Sequence, residues 1–497
     1  MGNRVRLIFQ MVSILMYSTA AIAQEKSRVD SADITPIVKP DVQKEHDSLR
    51  NDHLHNMYGE LLNDDPAFNH RYPLWIPATR VLAVNVFNWS IDRYVYNFDW
   101  AHISLATWKY NLKKGWEWDS DRFGINFIGH PHSGNFYFNV ARSNGYSFWQ
   151  SLPFAIEGSL MWEYFGENSR PSINDVINTP ISGMLLGEIF YRISSNILDD
   201  RTRGRERVFR EIFAAIIDPP RALNRLTQGK MFRVTTKEVY QKEPLNITLS
   251  SGIHRINNAD HLGDPAYNAI LNLQLDYGNP FETRHRKPFD VFRFRTELSY
   301  GYGNRLLGSA NGYGILFGNV VKENKLLLGV FQHFDYWNNT IFEVGTLGFS
   351  GGLILKTPVA KHSNIYSAFH LGIVPLAGNN TQYGPDTSEI RHYNFGGGFQ
   401  AKLEETFNLN DWATLGFTSY YYWIHTYVGL PGNSLVGILK PTITVKIFKN
   451  LRIGYEHHIY QNDRFLKNIP NVHITSSEEK LFLQLYLEDP KRNGKYH

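Results

Sequence analysis

The chain has 497 residues and no cysteine, which excludes disulfide bridges, thiolate metal sites, a cysteine nucleophile and the lipid-bearing cysteine of a lipoprotein. Its 51 basic and 47 acidic residues are interspersed, and the formal net charge of +4 does not support a nucleic-acid partner. Aromatic residues make up 14% of the chain and glycines number 39, a composition that favours a β-barrel over a compact soluble enzyme. The length predicts at least two structural units.

The first 23 residues have the pattern of a Sec signal peptide. Arg4 and Arg6 precede an apolar run at 7–20, and the small-x-small motif at 21–23 follows it directly. The run is too short and too often interrupted to anchor the chain, because about 20 apolar residues are needed to span a bilayer. We therefore expect export with cleavage after Ala23, and no later stretch is apolar enough for an ordinary transmembrane helix.

A polar lead-in separates the signal peptide from a helical unit. Residues 24–70 are polar and charged, which predicts a flexible periplasmic segment. From about 71 to 228 the apolar residues have helical spacing, and this part is predicted to be a compact helical unit. Gly183 and Gly187 would let another helix approach closely. Three helices are predicted here, at 148–167, 172–197 and 205–217.

From about residue 245 apolar residues recur at every second position, which predicts β-strands. Turn-forming motifs bound the strands at regular intervals. The twelve predicted strands are 246–256, 265–277, 289–302, 311–321, 325–336, 341–356, 363–375, 390–404, 412–428, 434–448, 450–461 and 478–488.

The strands are long and two-faced. Arg293, Arg295 and Glu297 alternate with apolar residues, so the three charges share one face of a strand. Strands of about ten or more residues with one polar and one apolar face are typical of a membrane barrel with a polar lumen, whereas soluble strands average about 5–6 residues. A soluble sandwich or propeller is the alternative. The predicted fold class is α+β, a helical unit followed by an antiparallel transmembrane β-barrel of about 12 strands at 245–490.

The region 121–200 carries a group of short motifs. They are Gly129-His130-Pro131, Gly134, Ala141-Arg142-Ser143, Gly158-Ser159, Trp162-Glu163, Pro171-Ser172, Asn174-Asp175, Thr179-Pro180 and Gly187-Glu188. With these motifs the region resembles the signature region of the bacterial family called domain of unknown function 3943. The resemblance implies a Gram-negative envelope protein, and no established activity comes with it.

The same region holds the candidate catalytic and metal-binding residues. In an extended segment His130 and His132 would face one side and act as paired metal ligands, with Glu163 or Asp175 supplied from helices. The alternative is that each histidine bonds to a neighbour in a polar packed site. Ser133 permits a serine-hydrolase interpretation, although the chain has no G-x-S-x-G elbow here. No catalytic residue and no metal ligand is assigned from these patterns.

A structural polar core is the preferred explanation of this region, because buried amides, histidines and an arginine must satisfy one another. We expect it to lock an extended segment at 126–144 onto two helices. Its predicted members are Asn126, Asn139, Arg142, Asn144, Thr179 and Glu188.

Arginines crowd the segment that enters the third predicted helix. They are candidates for binding lipid phosphates through charge-assisted hydrogen bonds. The alternative is a solvated face that neighbouring acids partly neutralise. The four candidates are Arg201, Arg203, Arg205 and Arg207.

These features predict an outer-membrane β-barrel protein with a helical plug or adaptor at its periplasmic side. It would act as a gated conduit or an envelope scaffold, and these patterns favour a protein without enzymatic activity. The alternative is an outer-membrane lipid or lipopolysaccharide hydrolase that uses His130, His132, Ser133 and Glu163. Outer-membrane lipid is the expected partner, with lipopolysaccharide or another envelope protein as alternatives, and no cofactor and no nucleic acid are expected.

Overall fold

A computed structural model of the protein describes residues 70–257, 267–283, 286–301, 306–322, 325–339, 343–380 and 393–489. The predicted signal peptide and residues 24–69 of the predicted lead-in lie outside these ranges. Within the described part of the chain, seven α-helices precede twelve β-strands, so the α+β fold class is confirmed.

The helices occupy residues 75–227. The three helices predicted from the sequence are present, within a few residues of their predicted bounds. One π-helical turn, Ile125–Gly129, directly precedes the helix His130–Arg142, and another, Trp162–Gly166, directly follows the helix Phe148–Met161. The α-helices are α1 (Trp75–Tyr94), α2 (Leu105–Lys114), α3 (His130–Arg142), α4 (Phe148–Met161), α5 (Ile173–Ile197), α6 (Gly204–Ile217) and α7 (Pro219–Thr227).

The predicted extended segment at 126–144 is instead helical, so that prediction is wrong. Pro131 directly follows the π-helical turn and cannot donate to a carbonyl of that turn, and the carbonyl of Asn126 instead accepts from the side chain of Asn178 at 2.5 Å. Glycine and asparagine lower the intrinsic helix propensity of this stretch, but burial against α5 overrides it. The change matters because residues two apart on a helix point in nearly opposite directions.

All twelve predicted strands are present. Each pairs antiparallel with its neighbours in the sequence, and the first strand pairs with the twelfth to close the barrel. The strands are β1 (Leu245–Asn257), β2 (Tyr267–Tyr277), β3 (Phe292–Tyr300), β4 (Leu307–Lys322), β5 (Leu326–Asn338), β6 (Glu343–Ala360), β7 (Ser363–Asn380), β8 (Tyr393–Leu409), β9 (Ala413–Val428), β10 (Gly432–Phe448), β11 (Leu451–Leu466) and β12 (Val472–Leu487).

The two ends of the barrel differ in their connections. The chain enters β1 and leaves β12 at one end, where most strands are joined by tight connections such as 361–362; we call it the turn end. At the opposite, loop end most connections are longer, for example 381–392 between β7 and β8, although the longest of all, 278–291, lies at the turn end. Short turns at one end and longer loops at the other are typical of outer-membrane barrels.

Ion pairs between strands that are not neighbours identify the lumen. Arg295 on β3 donates to Glu404 on β8 at 2.7 Å, and Arg293 also pairs with Glu404. Lys480 on β12 donates to Glu297 on β3 at 2.5 Å. These side chains can meet only across the inside of the barrel, so the three charges predicted to share a face of β3 do share the lumenal face.

Residues that alternate with the lumenal ones form the outer wall. On β12, for example, Leu481, Leu483, Leu485 and Leu487 are exposed, and Leu249 of β1 is exposed beside Leu485. An exposed wall of large apolar side chains on a closed barrel is the pattern of a lipid-facing surface.

The helical unit packs on this outer wall. Asp335 of β5 pairs with Lys402 of β8 across the lumen. Because side chains alternate between the two faces of a strand, Gln332, three residues before Asp335, faces outward. Its amide nitrogen donates to the carbonyl of Ile181 on α5 at 2.7 Å. Of the two predicted roles, plug and adaptor, the plug is therefore wrong, because the described helices lie beside the barrel wall and do not fill its lumen. The adaptor role stays a prediction.

Glycines in the wall make room for aromatic side chains of the helical unit. A Cβ atom on Gly345 of β6 or Gly378 of β7 would lie 2.3 Å from the ring of Phe127, so no larger residue fits without a shift. Phe123 stacks on Tyr336 of β5 with ring centroids 5.4 Å apart. The wall is thus shaped to receive the π-helical turn that carries Phe127.

Helix α5 follows the wall over its whole height. Near its start, Asn174 donates to Asn126, which in turn bonds Tyr393 at the loop end of β8. Near its finish, Asn196 donates to the carbonyl of Glu243, directly before β1 at the turn end. Its 25 residues correspond to about 37 Å of helix. Among the described helices none is both long and apolar enough to cross a membrane.

Helices α3 and α5 cross at close range. A Cβ on Gly134 would lie 1.8 Å from the carbonyl oxygen of Thr179, and one on Gly183 would lie 2.4 Å from the backbone of Gly134. Gly187 receives the ring of Phe138 in the same way. The close approach predicted from Gly183 and Gly187 is therefore confirmed.

Candidate active site

A buried cluster of acids and one histidine lies where α3 and α5 begin. His130 is the first residue of α3, and its Nε2 atom lies 3.5 Å from Asp175 in the first turn of α5 and 4.0 Å from Asp121. Asp119 is hydrogen-bonded to Asp175. Donor atoms of Asp119, His130 and Asp175 all lie within 4.8 Å of one another.

The π-helical turn that follows α4 places two further acids near this cluster. Glu163 lies in the turn that follows α4, and its carboxylate accepts a hydrogen bond from the backbone N–H of Ser172 at 2.7 Å. Serine at this position often caps a helix, but the Ser172 side chain makes no such bond to α5. Glu167 ends the same turn and accepts from the indole of Trp162 at 2.6 Å. Single π turns often occur at functional sites, because they redirect side chains that a regular helix would space evenly.

Asparagines hold the acids in place. Asn126 donates to Asp119 at 3.0 Å, and Asn174 donates to Asp175 at 2.9 Å. Asn178 donates to the backbone carbonyl of Asn126, which ties the π turn to α5. Fixed amide donors around carboxylates reduce the rearrangement that a reaction would require.

Burial drives the pKa values of these acids apart. The pKa of Asp175 is raised well above its ordinary range by burial and by the neighbouring charge of Asp119. Burial, together with the charges of Asp175 and Glu167, likewise raises the pKa of Glu163. For Asp119, burial favours the neutral form, but hydrogen bonds from Asp175 and asparagines and the charge of His130 outweigh it and lower the pKa. The cluster therefore presents proton donors beside an ionised carboxylate.

His130 carries the positive charge of the cluster. Burial by itself lowers the pKa of its ring, but the hydrogen bond to Asp121 and the charge of Asp119 raise it to about 9. The imidazolium is therefore the expected form at neutral pH. A protonated imidazole next to an ionised carboxylate is an arrangement that can donate and accept protons in one step.

The same donor set is suited to a divalent cation. Two carboxylates and one imidazole fit zinc or manganese by ligand type. The pair of histidines proposed as ligands does not form, because α3 points His132 away from His130, and the ring of His132 packs on Phe136 at 4.6 Å. A metal at this place would use Asp119, His130 and Asp175.

Ser133 is not joined to this cluster. It is half-buried on α3, and within the described residues no hydrogen bond connects it to His130 or to an acid. A Ser–His nucleophile pair is therefore not formed. Of the residues proposed for hydrolysis, the structure brings together only His130 and Glu163, with Asp175 beside them.

A second buried network lies lower on α5. Glu188 accepts from Arg142 and from Arg192, each at 2.8 Å, and Arg192 also pairs with Asp290 of the barrel at 3.0 Å. Burial favours neutral Glu188, but the two arginines outweigh it and lower the pKa of its carboxyl. This network joins the helical unit to the barrel near the turn end.

The remaining predicted core residues are buried in the helical unit. Asn139 donates to Asn135 one turn earlier on α3, and Asn144 donates to the carbonyl of Val140. Thr179 lies at the crossing of α3 and α5. These three residues belong to helix packing and do not contact the His130 cluster.

The four candidate lipid-phosphate arginines divide into two pairs. Arg201 and Arg207 bond to buried acids, Arg201 to Asp199 and Arg207 to Asp200. Arg203 and Arg205 are exposed and make no ion pair within the described residues. Only this second pair is free to meet a phosphate.

Sequence reasoning missed Asp119 and Asp121. They lie in the connection between α2 and the first π turn, where neither helical nor strand periodicity marks a position as buried. Two acids separated by one residue, directly before the family-like motifs, were the available signal.

Comparisons with known proteins bear on the two parts of the chain separately. Residues 115–220 match the family described as Domain of unknown function (DUF3943). This confirms the resemblance predicted from the motifs, and the match covers the whole His130 cluster. No curated protein matches the chain.

Solved outer-membrane proteins align with about half of the chain. OmpT of Vibrio cholerae, folded in vitro, is 8% identical and aligns over 49% of this chain and 96% of its own, with a TM-score of 0.25. An outer-membrane channel from Pseudomonas putida is 7% identical over 49% and 95%, with a TM-score of 0.24. The transport unit of the autotransporter AIDA-I from Escherichia coli is 12% identical over 53% and 96%, with a TM-score of 0.23.

Proposed function

We propose that the protein is an outer-membrane lipid hydrolase whose catalytic groups lie in the helical unit beside the barrel. The observation that carries the proposal is the buried cluster of Asp119, His130, Glu163 and Asp175 on the outer wall, near the loop end. The signal-peptide pattern and the apolar wall of the barrel support the membrane position. A site on the lipid-facing side of a barrel can receive a lipid without its leaving the bilayer.

The chemistry follows from the protonation states. Asp119 is ionised and accepts a proton from water, whose oxygen attacks the ester carbon or phosphorus of the lipid. Protonated His130 then gives its proton to the departing alcohol oxygen, and the bond to that oxygen breaks. Proton transfer from Asp119 to His130 restores the starting state. Asp175, hydrogen-bonded to Asp119, positions that carboxylate.

The conduit function has less support. The lumen is crossed by ion pairs such as Arg295 with Glu404 and Lys480 with Glu297. Opening a path would leave these charges without partners, and breaking a buried ion pair costs about 3–5 kcal/mol. Moving the helical unit would not open the lumen, because the helices pack on the other face of the strands.

The proposal is tested with purified protein in liposomes of phospholipid and lipopolysaccharide, by measuring the rate at which fatty acid or phosphate is released. We expect His130→Ala and Asp119→Asn to lower the rate by about 100-fold or more, since each removes a proton-transfer group. His132→Ala is the matched control, because His132 lies on the same helix but outside the cluster. It should retain the wild-type rate.

Circular dichroism and heat-dependent gel mobility establish that each variant keeps a folded barrel. The proposal is overturned if the wild-type protein releases neither product, or if His130→Ala releases it as fast as His132→Ala does.

A further inference from the structure

The exposed surface of the helical unit is unusual for a domain in water. Every exposed position of α1 between residues 74 and 90 is uncharged, and most are large and apolar. A water-exposed helix normally places charged residues on its outer face. The exposed residues are Leu74, Trp75, Thr79, Leu82, Ala83, Val86 and Phe87.

Helix α6 repeats this arrangement. Its first turn exposes Arg205 and Glu206, and every exposed residue after that turn is apolar. Phe209, Phe213 and Ile216 border a groove of about 700 Å³ between the end of α5 and α6. The exposed apolar residues are Val208, Phe209, Ile212, Phe213 and Ile216.

Beneath α6, charged residues lie inside the unit and pair with one another. Asp200 is fully buried and accepts from Arg207 at 3.0 Å, Arg225 at 2.9 Å and Arg233 at 2.7 Å. Glu211, on the inner face of α6, pairs with Arg225 at 2.6 Å. On this side of the unit, apolar groups lie outside and paired charges lie inside, which is the reverse of a soluble surface and is expected where the surroundings are hydrocarbon.

The apolar surface is continuous with the barrel wall. Trp149 of α4 stacks on Phe317, which faces outward from β4, with ring centroids 5.4 Å apart, and both rings remain exposed. Because α5 follows the wall from the loop end to the turn end, a bilayer that surrounds the barrel must also meet the helices packed on it.

We propose that the helical unit is embedded in the bilayer beside the barrel, with the outer faces of α1 and α6 in contact with lipid acyl chains. This inference rests on the membrane position of the barrel proposed above. Arg203 and Arg205, at the start of α6, lie next to its apolar face, where they can bind lipid phosphates. The unit then provides a lateral surface along which a lipid reaches the His130 cluster.

The absence of cysteine permits a direct test with single cysteine reporters. Val86→Cys on α1 and Phe213→Cys on α6 are labelled with bimane in the full-length protein, in vesicles of brominated phosphatidylcholine. Leu483→Cys on the barrel wall is the lipid-facing control, and Asp411→Cys in the turn between β8 and β9 is the water-facing control. Aqueous iodide is the second quencher.

We expect bromine to quench the labels at positions 86 and 213 as strongly as the label at 483, and at least about threefold more strongly than the label at 411, because bromine on acyl chains quenches only within the hydrocarbon. If the label at 483 is quenched by bromine but the labels at 86 and 213 are quenched by iodide as strongly as the label at 411, the barrel lies in the bilayer and the helical unit does not. In that case only the embedding of the helical unit is overturned. It also fails if the two helical positions are shielded from both quenchers, since a protein partner would then cover them. If the label at 483 is not quenched, the membrane position of the barrel fails as well.

Discussion

Among single residues, protonated His130 is the positive charge around which the acids of the cluster lie. Burial alone would lower the pKa of the ring from an ordinary 6.5, but Asp121 and Asp119 outweigh burial and raise it to about 9. Because the pKa is higher in the folded state than in the unfolded chain, protonated His130 contributes its full stabilisation of the fold below about pH 6.5. This contribution is lost as the pH rises through about 9. The shift corresponds to a free energy on the order of 3 kcal/mol.

We therefore expect His130→Gln to destabilise the helical unit most at pH 6.5, with a difference from the wild type that shrinks towards zero above pH 9. Pulse proteolysis across urea concentrations, following the fragment 115–220, measures that difference. His132→Gln is the control, since its ring is not among these acids. A difference for His130→Gln that is constant between pH 6.5 and 9.5 would show that the ring is not charged in the fold.

At the scale of elements, the strands could be predicted from the sequence more completely than the helices. Alternation of charged and apolar residues, as in Arg293, Arg295 and Glu297, reports the two faces of a strand directly. Residues 130–142 carry proline, glycine and asparagine, whose local preferences oppose the helix that tertiary burial stabilises. The candidate site was predicted only in part for the same reason, since the pairing of His130 with His132 assumed an extended chain.

Wall glycines test how the helical unit docks on the strands. Gly345→Leu would drive a side chain into the ring of Phe127, and overpacking of this kind costs about 1–3 kcal/mol. Gly351→Leu is the matched control, on the outer face of the same strand, where a Cβ meets nothing within 4 Å. Limited proteolysis should cleave the segment 115–220 faster in Gly345→Leu than in Gly351→Leu, with both barrels intact. Equal cleavage rates would mean that Phe127 does not dock at Gly345.

At the scale of the whole molecule, the arrangement of helices and barrel could not be predicted from local pattern. Around Gln332 to Tyr336 both faces of β5 are buried, one by the lumen and one by the helical unit, so alternation disappears where the two parts meet. Adjacent positions there have opposite surroundings: Gln332 contacts α5, and His333 lies 3.2 Å from Lys402 inside the lumen. Only the pairing of strands distinguishes these two faces.

A thiol cross-link distinguishes a helical unit outside the barrel wall from one inside the lumen. Ile181→Cys on α5 is combined either with Gln332→Cys or with His333→Cys, in a chain that has no other cysteine. A short bifunctional maleimide should join the cysteine at position 181 to the one at the outward position 332 and shift the gel mobility, and it should leave the pair with the lumenal position 333 unlinked. Efficient linking of position 181 to position 333, with none to position 332, would instead place α5 inside the barrel.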